Sequence, residues 1–259
     1  MLNRNEKMKI IYEEAVKMLD EIKPDNVDMN KYFNINKNFE NMKDVLYVLL
    51  ISLQDRQALP NIIGLLKEER KETFKKILFD YDAEQILEHY NEDSLLTAFS
   101  ENFVIKNIES KSNSWRLYAK SVISASKFLC RFNSVEDFES FIDRYSEYSI
   151  INLPIFLKEN VFGMGFALAC NFLKDLGYSE YIKPDVHIKD IFVGSGLCLD
   201  DDYSIFNTAI EMSNHVGVSA AHLDKLLWIV CSGNFHLDGI KVGNRKSEFI
   251  SRIKNILKL

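Results

Sequence analysis

Only four prolines interrupt 259 residues, and nine of the ten glycines lie at or beyond Gly163. Proline and glycine are the strongest breakers of regular backbone, so a chain nearly free of them until Gly163 is free to be helical. Residues 42–53, MKDVLYVLLISL, are apolar on nearly every side, which predicts a helix in the middle of a core. Residues 69–79 and 83–90 show helical spacing, with Asp82 placed as N-cap of the second. In 114–131, Leu117, Ala119, Val122, Ile123 and Phe128 gather on one side. Ser134 opens SVEDFESFIDRY as a variant capping box, and Gly177 closes a helix over 165–176. Two further helices are predicted over 219–231 and 245–258, while IKVG near residue 240 is the best of few strand patterns. No repeat or low-complexity linker appears, and the expected fold is all-α.

Apolar residues make up 47% and charged residues 27%, the balance of a folded soluble chain rather than a disordered one. The length suits one large domain or two small ones. Cys130, Cys170, Cys198 and Cys231 lie far apart with no C-x-x-C pair, which argues against zinc or an iron–sulfur cluster and for reduced thiols. The N-terminal MLNRNEKMKIIYEEAV lacks an apolar signal core, and VLYVLLISL is too short to span a bilayer. A cytoplasmic protein with no membrane partner is expected.

The net charge of −6 counts against nucleic-acid binding, although distribution matters more than the sum. Residues 103–131 hold Lys106, Lys111, Arg116, Lys120, Lys127 and Arg131 against Glu109 alone. The tail 239–259 holds Lys241, Arg245, Lys246, Arg252, Lys254 and Lys258 against Glu248. Each segment reads equally as a solvated helix face or as a phosphate footprint.

The stretch 157–192, LKENVFGMGFALACNFLKDLGYSEYIKPDVHIKDIF, carries the chemistry. Gly163 and Gly165 open an apolar run, and Asp185 follows twenty residues after the second. A Gly-x-Gly between helices leaves backbone N–H groups unobstructed for a phosphate. A lone acid after Pro184 is placed either to face a cleft or simply to cap the next helix.

Val161-Phe162-Gly163-Met164-Gly165 followed by Pro184-Asp185-Val186-His187 resembles the helix-hairpin-helix DNA glycosylases. That superfamily includes endonuclease III, MutY, the 8-oxoguanine glycosylases and the AlkA-type enzymes. Their hairpin usually reads Leu-Pro-Gly-Val-Gly, so both glycines are kept here and the proline is missing. LLISLQ at 49–54 is a weaker match to that family's LLSAQ helix end, and the resemblance covers most of residues 42–192. It implies a two-lobed fold with the active site in a cleft between the lobes. Residues 42–177 would form a helical barrel ending in the hairpin, and 1–41 with 178–259 the second lobe.

The resemblance also implies roles. Asp185 would be the catalytic carboxylate: cleavage of an N-glycosidic bond builds positive charge on the sugar, which a fixed carboxylate stabilises. Gly163, Gly165, Phe166 and Ala167 would present the phosphate grip, unless the hairpin is only a tight turn. Hairpin carbonyls of Glu159, Val161 and Met164 would hold a monovalent cation such as sodium or potassium, with no other cofactor required. Gln54 would fill the gap left by a flipped nucleotide, with Gln57 three residues on as a second candidate. Trp115, Tyr118, Trp228 and Phe235 are candidates to wall the base pocket, each also readable as core. His187 would tie down the loop. His215, His222 and His236 show no zinc spacing.

Two departures from the pattern narrow the expectation. The lyase lysine of bifunctional members falls at Ala167 here, and Lys174 and Lys183 stand elsewhere. The cluster cysteines are absent. The expected activity is a monofunctional DNA glycosylase acting on a damaged or modified base in double-stranded DNA. The alternative is a protein of the same fold that binds DNA or acts as a scaffold without catalysis. A helical protein-interaction module is a third reading, supported by net charge alone.

Overall fold

The computed structural model describes residues 2–56 and 59–258; Gln57 lies outside the described residues. The fold is all-α. In chain order come α1 (Arg4–Ile22), α2 (Asn30–Phe33), α3 (Met42–Gln54), α4 (Leu59–Ile62), α5 (Glu68–Ile77), α6 (Ala83–His89), α7 (Glu92–Asn102) and α8 (Ser114–Leu129). They are followed by α9 (Val135–Tyr148), α10 (Asn152–Asn160), α11 (Phe166–Asp175), α12 (Val186–Gly194), α13 (Asp202–Val216), α14 (Ala220–Ser232) and α15 (Lys246–Leu257). The IKVG pattern yields a two-residue strand, β2 (Ile240–Lys241), pairing antiparallel with β1 (Asn234–Phe235). Among the described residues, no helix is long and apolar enough to cross a membrane.

The chain divides into two compact units, one built from residues 1–37 and 177–259, the other from 38–176. In the unit of residues 38–176, α3 packs on α8 and α11, α6 and α7 pack on α8, and α10 packs on α9 and α11. Val45, Leu46, Leu49, Leu50 and Leu53 of α3 are all buried, whereas Asp44, Tyr47, Val48 and Ile51 form a half-exposed stripe, so the helix is not enclosed on every side despite its apolar sequence. Phe74, Phe99, Phe103 and Trp115 form one ring cluster, and Phe128, Phe132, Phe138, Phe141 and Phe156 another. Truncating one of the fully buried members, such as Phe74 or Phe99, to alanine costs about 3–5 kcal/mol.

Helix ends follow local side-chain chemistry. Asp82 accepts from the Gln85 N–H at 3.1 Å and Ser134 from the Asp137 N–H at 3.3 Å. The return arm of the second cap differs from a reciprocal box, since Asp137 accepts from the Asn133 N–H at 3.1 Å. α1 begins with a full capping box between Asn3 and Glu6, a signal legible in the sequence and not used above.

In the unit of residues 1–37 and 177–259, α1 packs on α13, α14 and α15, and α14 also meets α2, α12, α13 and α15. Gly177 stands at φ +102°, and a Cβ there would lie 2.4 Å from the Asn36 carbonyl oxygen. Only glycine fits where the chain re-enters beside its own N-terminal segment.

Candidate functional site

The hairpin lies wholly within the unit of residues 38–176. α10 ends at Asn160, and the Met164 N–H donates to the Val161 carbonyl at 3.1 Å, closing a four-residue turn. Gly163 occupies that turn at φ +86°, where a Cβ would sit 2.6 Å from Ser121 Oγ. Both the left-handed backbone and the approach of α8 require glycine at this position. α8 holds the hairpin further: the Phe162 N–H donates to Ser124 Oγ at 2.8 Å, and the Lys120 ammonium lies 4.3 Å from the centre of the Phe162 ring. Sequence alone could not show Ser121 and Ser124 as supports of the hairpin, or tie Lys120 of the basic segment to Phe162, because these partners are far apart along the chain.

Gly165 is different. It is the N-cap of α11 at φ −89°, ψ 164°, an extended backbone open to any residue. A Cβ there would meet nothing within 4 Å. The residue is exposed, and the first turn of α11 has no side-chain cap. Uncapped N–H groups at a helix start favour an anion. Phe166 is buried and Ala167 half-buried at the same helix start.

The carbonyls of Glu159, Val161 and Met164 differ in availability. Val161 accepts the turn bond, whereas those of Glu159 and Met164 accept no main-chain hydrogen bond among the described residues. A set of neutral carbonyl oxygens fits a hard cation in kind. Among the described residues, no group of His, Cys, Asp and Glu side chains could hold a metal ion.

Asp185 belongs to the other unit, where it caps α12. Its Oδ1 accepts from the His187 N–H at 2.8 Å and the Ile188 N–H at 3.1 Å, while Oδ2 makes no hydrogen bond among the described residues. The side chain is half-buried. The approach to it is pinned in steps. The Asp185 N–H donates to the Lys183 carbonyl at 2.7 Å, and the Lys183 N–H donates to Oδ1 of the buried Asp224 at 3.2 Å. α14 therefore anchors the strand of chain that delivers Asp185, a role the sequence did not reveal because Asp224 looks like one more surface acid of an amphipathic helix.

The surroundings of α12 are charged. Lys246 pairs with Asp190 and reaches the Val186 carbonyl at 3.5 Å. Burial, and then the Asp185 charge, push the Cys231 thiol up to about 12. His187 is half-buried and its Nδ1 is buried without a hydrogen-bond partner.

Several candidates are corrected. Gln54 is 2% exposed, and its Oε1 accepts from the Leu65 N–H at 2.9 Å. It satisfies buried backbone and is not presented as an exposed wedge. Trp115 and Tyr118 are buried in the ring cluster of their unit, and the Tyr118 hydroxyl donates to the Leu50 carbonyl at 3.3 Å. Phe235 is fully buried, edge-on to Tyr32. These three are core residues rather than walls of an open pocket, because the inward stripe of an amphipathic helix is where large rings gain most from burial. Trp228 is half-buried, with Lys225 5.5 Å from its ring centre and His236 edge-on. Lys174 is buried and Lys183 half-buried.

Against known proteins, the chain is 25% identical over 179 residues to an 8-oxoguanine DNA glycosylase/AP lyase of Korarchaeum cryptofilum (strain OPF8), spanning 63% of this chain and 81% of the relative. No family model matches the chain, and no solved structure matches it. The similarity is distant.

Proposed function

We propose that this protein is a DNA glycosylase, with Asp185 as the catalytic carboxylate and the 161–167 hairpin as the phosphate grip. The observation that carries the reading is the state of the Asp185 carboxylate. Oδ1 is spent on capping α12, and Oδ2 remains available in a half-buried setting. One oxygen fixes orientation while the other can face an oxocarbenium-like sugar or orient the attacking water. The distant similarity to a protein named as a glycosylase supports the same reaction class.

The substrate would be a base flipped from duplex DNA, at a cost of a few kcal/mol for unstacking. The name of the archaeal relative makes 8-oxoguanine the first base to test. A monovalent cation held by the Glu159, Val161 and Met164 carbonyls would supply positive charge beside the bound phosphate. That name also includes an AP lyase activity, which requires an amine to attack the sugar. Ala167 stands at the position where the resemblance places that amine, so the activity proposed here is base hydrolysis that leaves the strand intact.

The test is a panel of duplex oligonucleotides carrying single lesions, incubated with the protein and read after heat and alkali so that abasic sites are counted. Asp185→Asn keeps the shape and removes the charge; excision should fall ~10²–10³-fold while duplex affinity is kept or increased. Full excision by a folded Asp185→Asn protein would remove Asp185 from the chemistry. Duplex binding with no turnover on any lesion would favour the binding protein without catalysis.

A further inference from the structure

We infer that α8 carries a track for the phosphate backbone of duplex DNA, running beside the hairpin along Arg116, Lys120 and Lys127 to Arg131. The inference rests on the DNA reading above and extends it to a surface that the hairpin motif does not include.

At 3.6 residues per turn, Arg116, Lys120 and Lys127 fall within about 40° of one another on the helix, and the first and last are about 16 Å apart. Arg131 follows two residues after the helix end. Lys127 and Arg131 are exposed, and Arg116 and Lys120 are half-buried. The accessible strip between them carries Leu117 and Ser124 and no acid. Among the described residues, no carboxylate lies within salt-bridge range of Lys120, Lys127 or Arg131. Arg116 pairs with the exposed Asp93 at 2.8 Å.

That pattern differs from an ordinary solvated face. Lys120 and Lys127 share one face of α8, a helix that carries no acid, and Arg131 continues the charge past the helix end, while Arg116 is already neutralised by Asp93. Solvated helices of this protein mix signs instead, as in Lys9 with Glu13 and Lys17 with Glu14 on α1. The unpaired cations of α8 are also held in place. Lys120 lies over the Phe162 ring of the hairpin, and the Arg131 guanidinium lies 5.8 Å from the Phe128 ring centre and 5.6 Å from that of Phe156 on α10. Ring contacts position a cation without neutralising it. The strip therefore offers ordered positive charge attached to the hairpin arm, and a polyanion with regularly spaced charges is its complement. A span of about 16 Å matches the rise of about five base pairs.

The experiment measures duplex binding by fluorescence anisotropy over a salt series, using an undamaged oligonucleotide and the full chain. The variants are wild type, the surface double variant Lys127→Gln/Arg131→Gln, Lys120→Gln, and Lys9→Gln as a control on α1. Each neutralised phosphate contact lowers the slope of log affinity against log salt by about 0.9. The double variant should lose about 1.8 and Lys120→Gln about half of that, with the control unchanged. Circular dichroism verifies folding, and the double variant stays informative even if Lys120→Gln disturbs the hairpin. Wild-type binding with an unchanged slope in the double variant overturns the track and leaves the glycosylase reading standing. Absence of salt-dependent duplex binding in the wild type overturns both.

Discussion

Gly163 and Gly165 stand two residues apart in one motif, yet the structure assigns them opposite reasons for being glycine, and alanine at each position separates those reasons. At Gly163, alanine must adopt φ near +86°, which costs about 1–2 kcal/mol for an L-residue. Its methyl group would lie 2.6 Å from Ser121 Oγ, and moving that hydroxyl off its rotamer costs about 0.5–1.5 kcal/mol. Reduced freedom of the unfolded chain returns about 0.4–1 kcal/mol. The net loss is about 1–2 kcal/mol, or about 2–8 °C in Tm for a chain of this size. At Gly165 the backbone is extended and the space is open. The same unfolded-state gain offsets a loss of about 0.5–1 kcal/mol for alanine at an N-cap, so stability should barely change. Thermal and urea unfolding read the first result, and duplex binding reads the second. Gly165→Ala should weaken binding to all duplexes alike and Gly165→Val more so, because a side chain blocks close approach to a phosphate, and phosphate contacts carry no sequence information. Ser121→Ala combined with Gly163→Ala should recover the overlap cost and leave the backbone cost. A folded Gly165→Val protein with wild-type affinity would refute the grip and reduce the hairpin to a turn.

The remaining predictions concern chemistry at the sugar and the thiols. With Ala167 at the lyase position, borohydride should trap no covalent protein–DNA adduct, since trapping needs a Schiff base to an amine. A strong adduct abolished by mutating Lys174 or Lys183 would show a relocated lysine and a bifunctional enzyme. At pH 8, a thiol reagent should label the exposed Cys130 well before the half-buried Cys198, while Cys231 reacts only after denaturation. Burial and the nearby Asp185 charge keep Cys231 protonated and out of reach, and the thiolate is the reactive form. Cys231 labelling at the rate of the denatured chain would contradict its placement.

The sequence by itself determined the all-α class, because scarce proline and glycine and strong 3.6-residue periodicity are local properties that need no partner to be read. It located the starts of α6 and α9 through Asp82 and Ser134, whose side chains act within three residues. It singled out the Gly163–Gly165 turn and Asp185 through spacing and resemblance. What it could not decide was which groups are occupied and which are free. Gln54 and Gln57 looked alike as polar residues at a helix end, yet Gln54 is consumed by the Leu65 amide eleven residues away. Trp115 and Phe235 suited a pocket by chemistry and were drawn into cores by packing. The support of the hairpin by Ser121 and Ser124, the anchoring of Lys183 by Asp224, and the division of labour between the two oxygens of Asp185 are all contacts between or within turns that only folding brings together. Local propensity is written residue by residue. Whether a polar atom keeps a free lone pair depends on every chain segment that packs against it, and tertiary structure alone sets that.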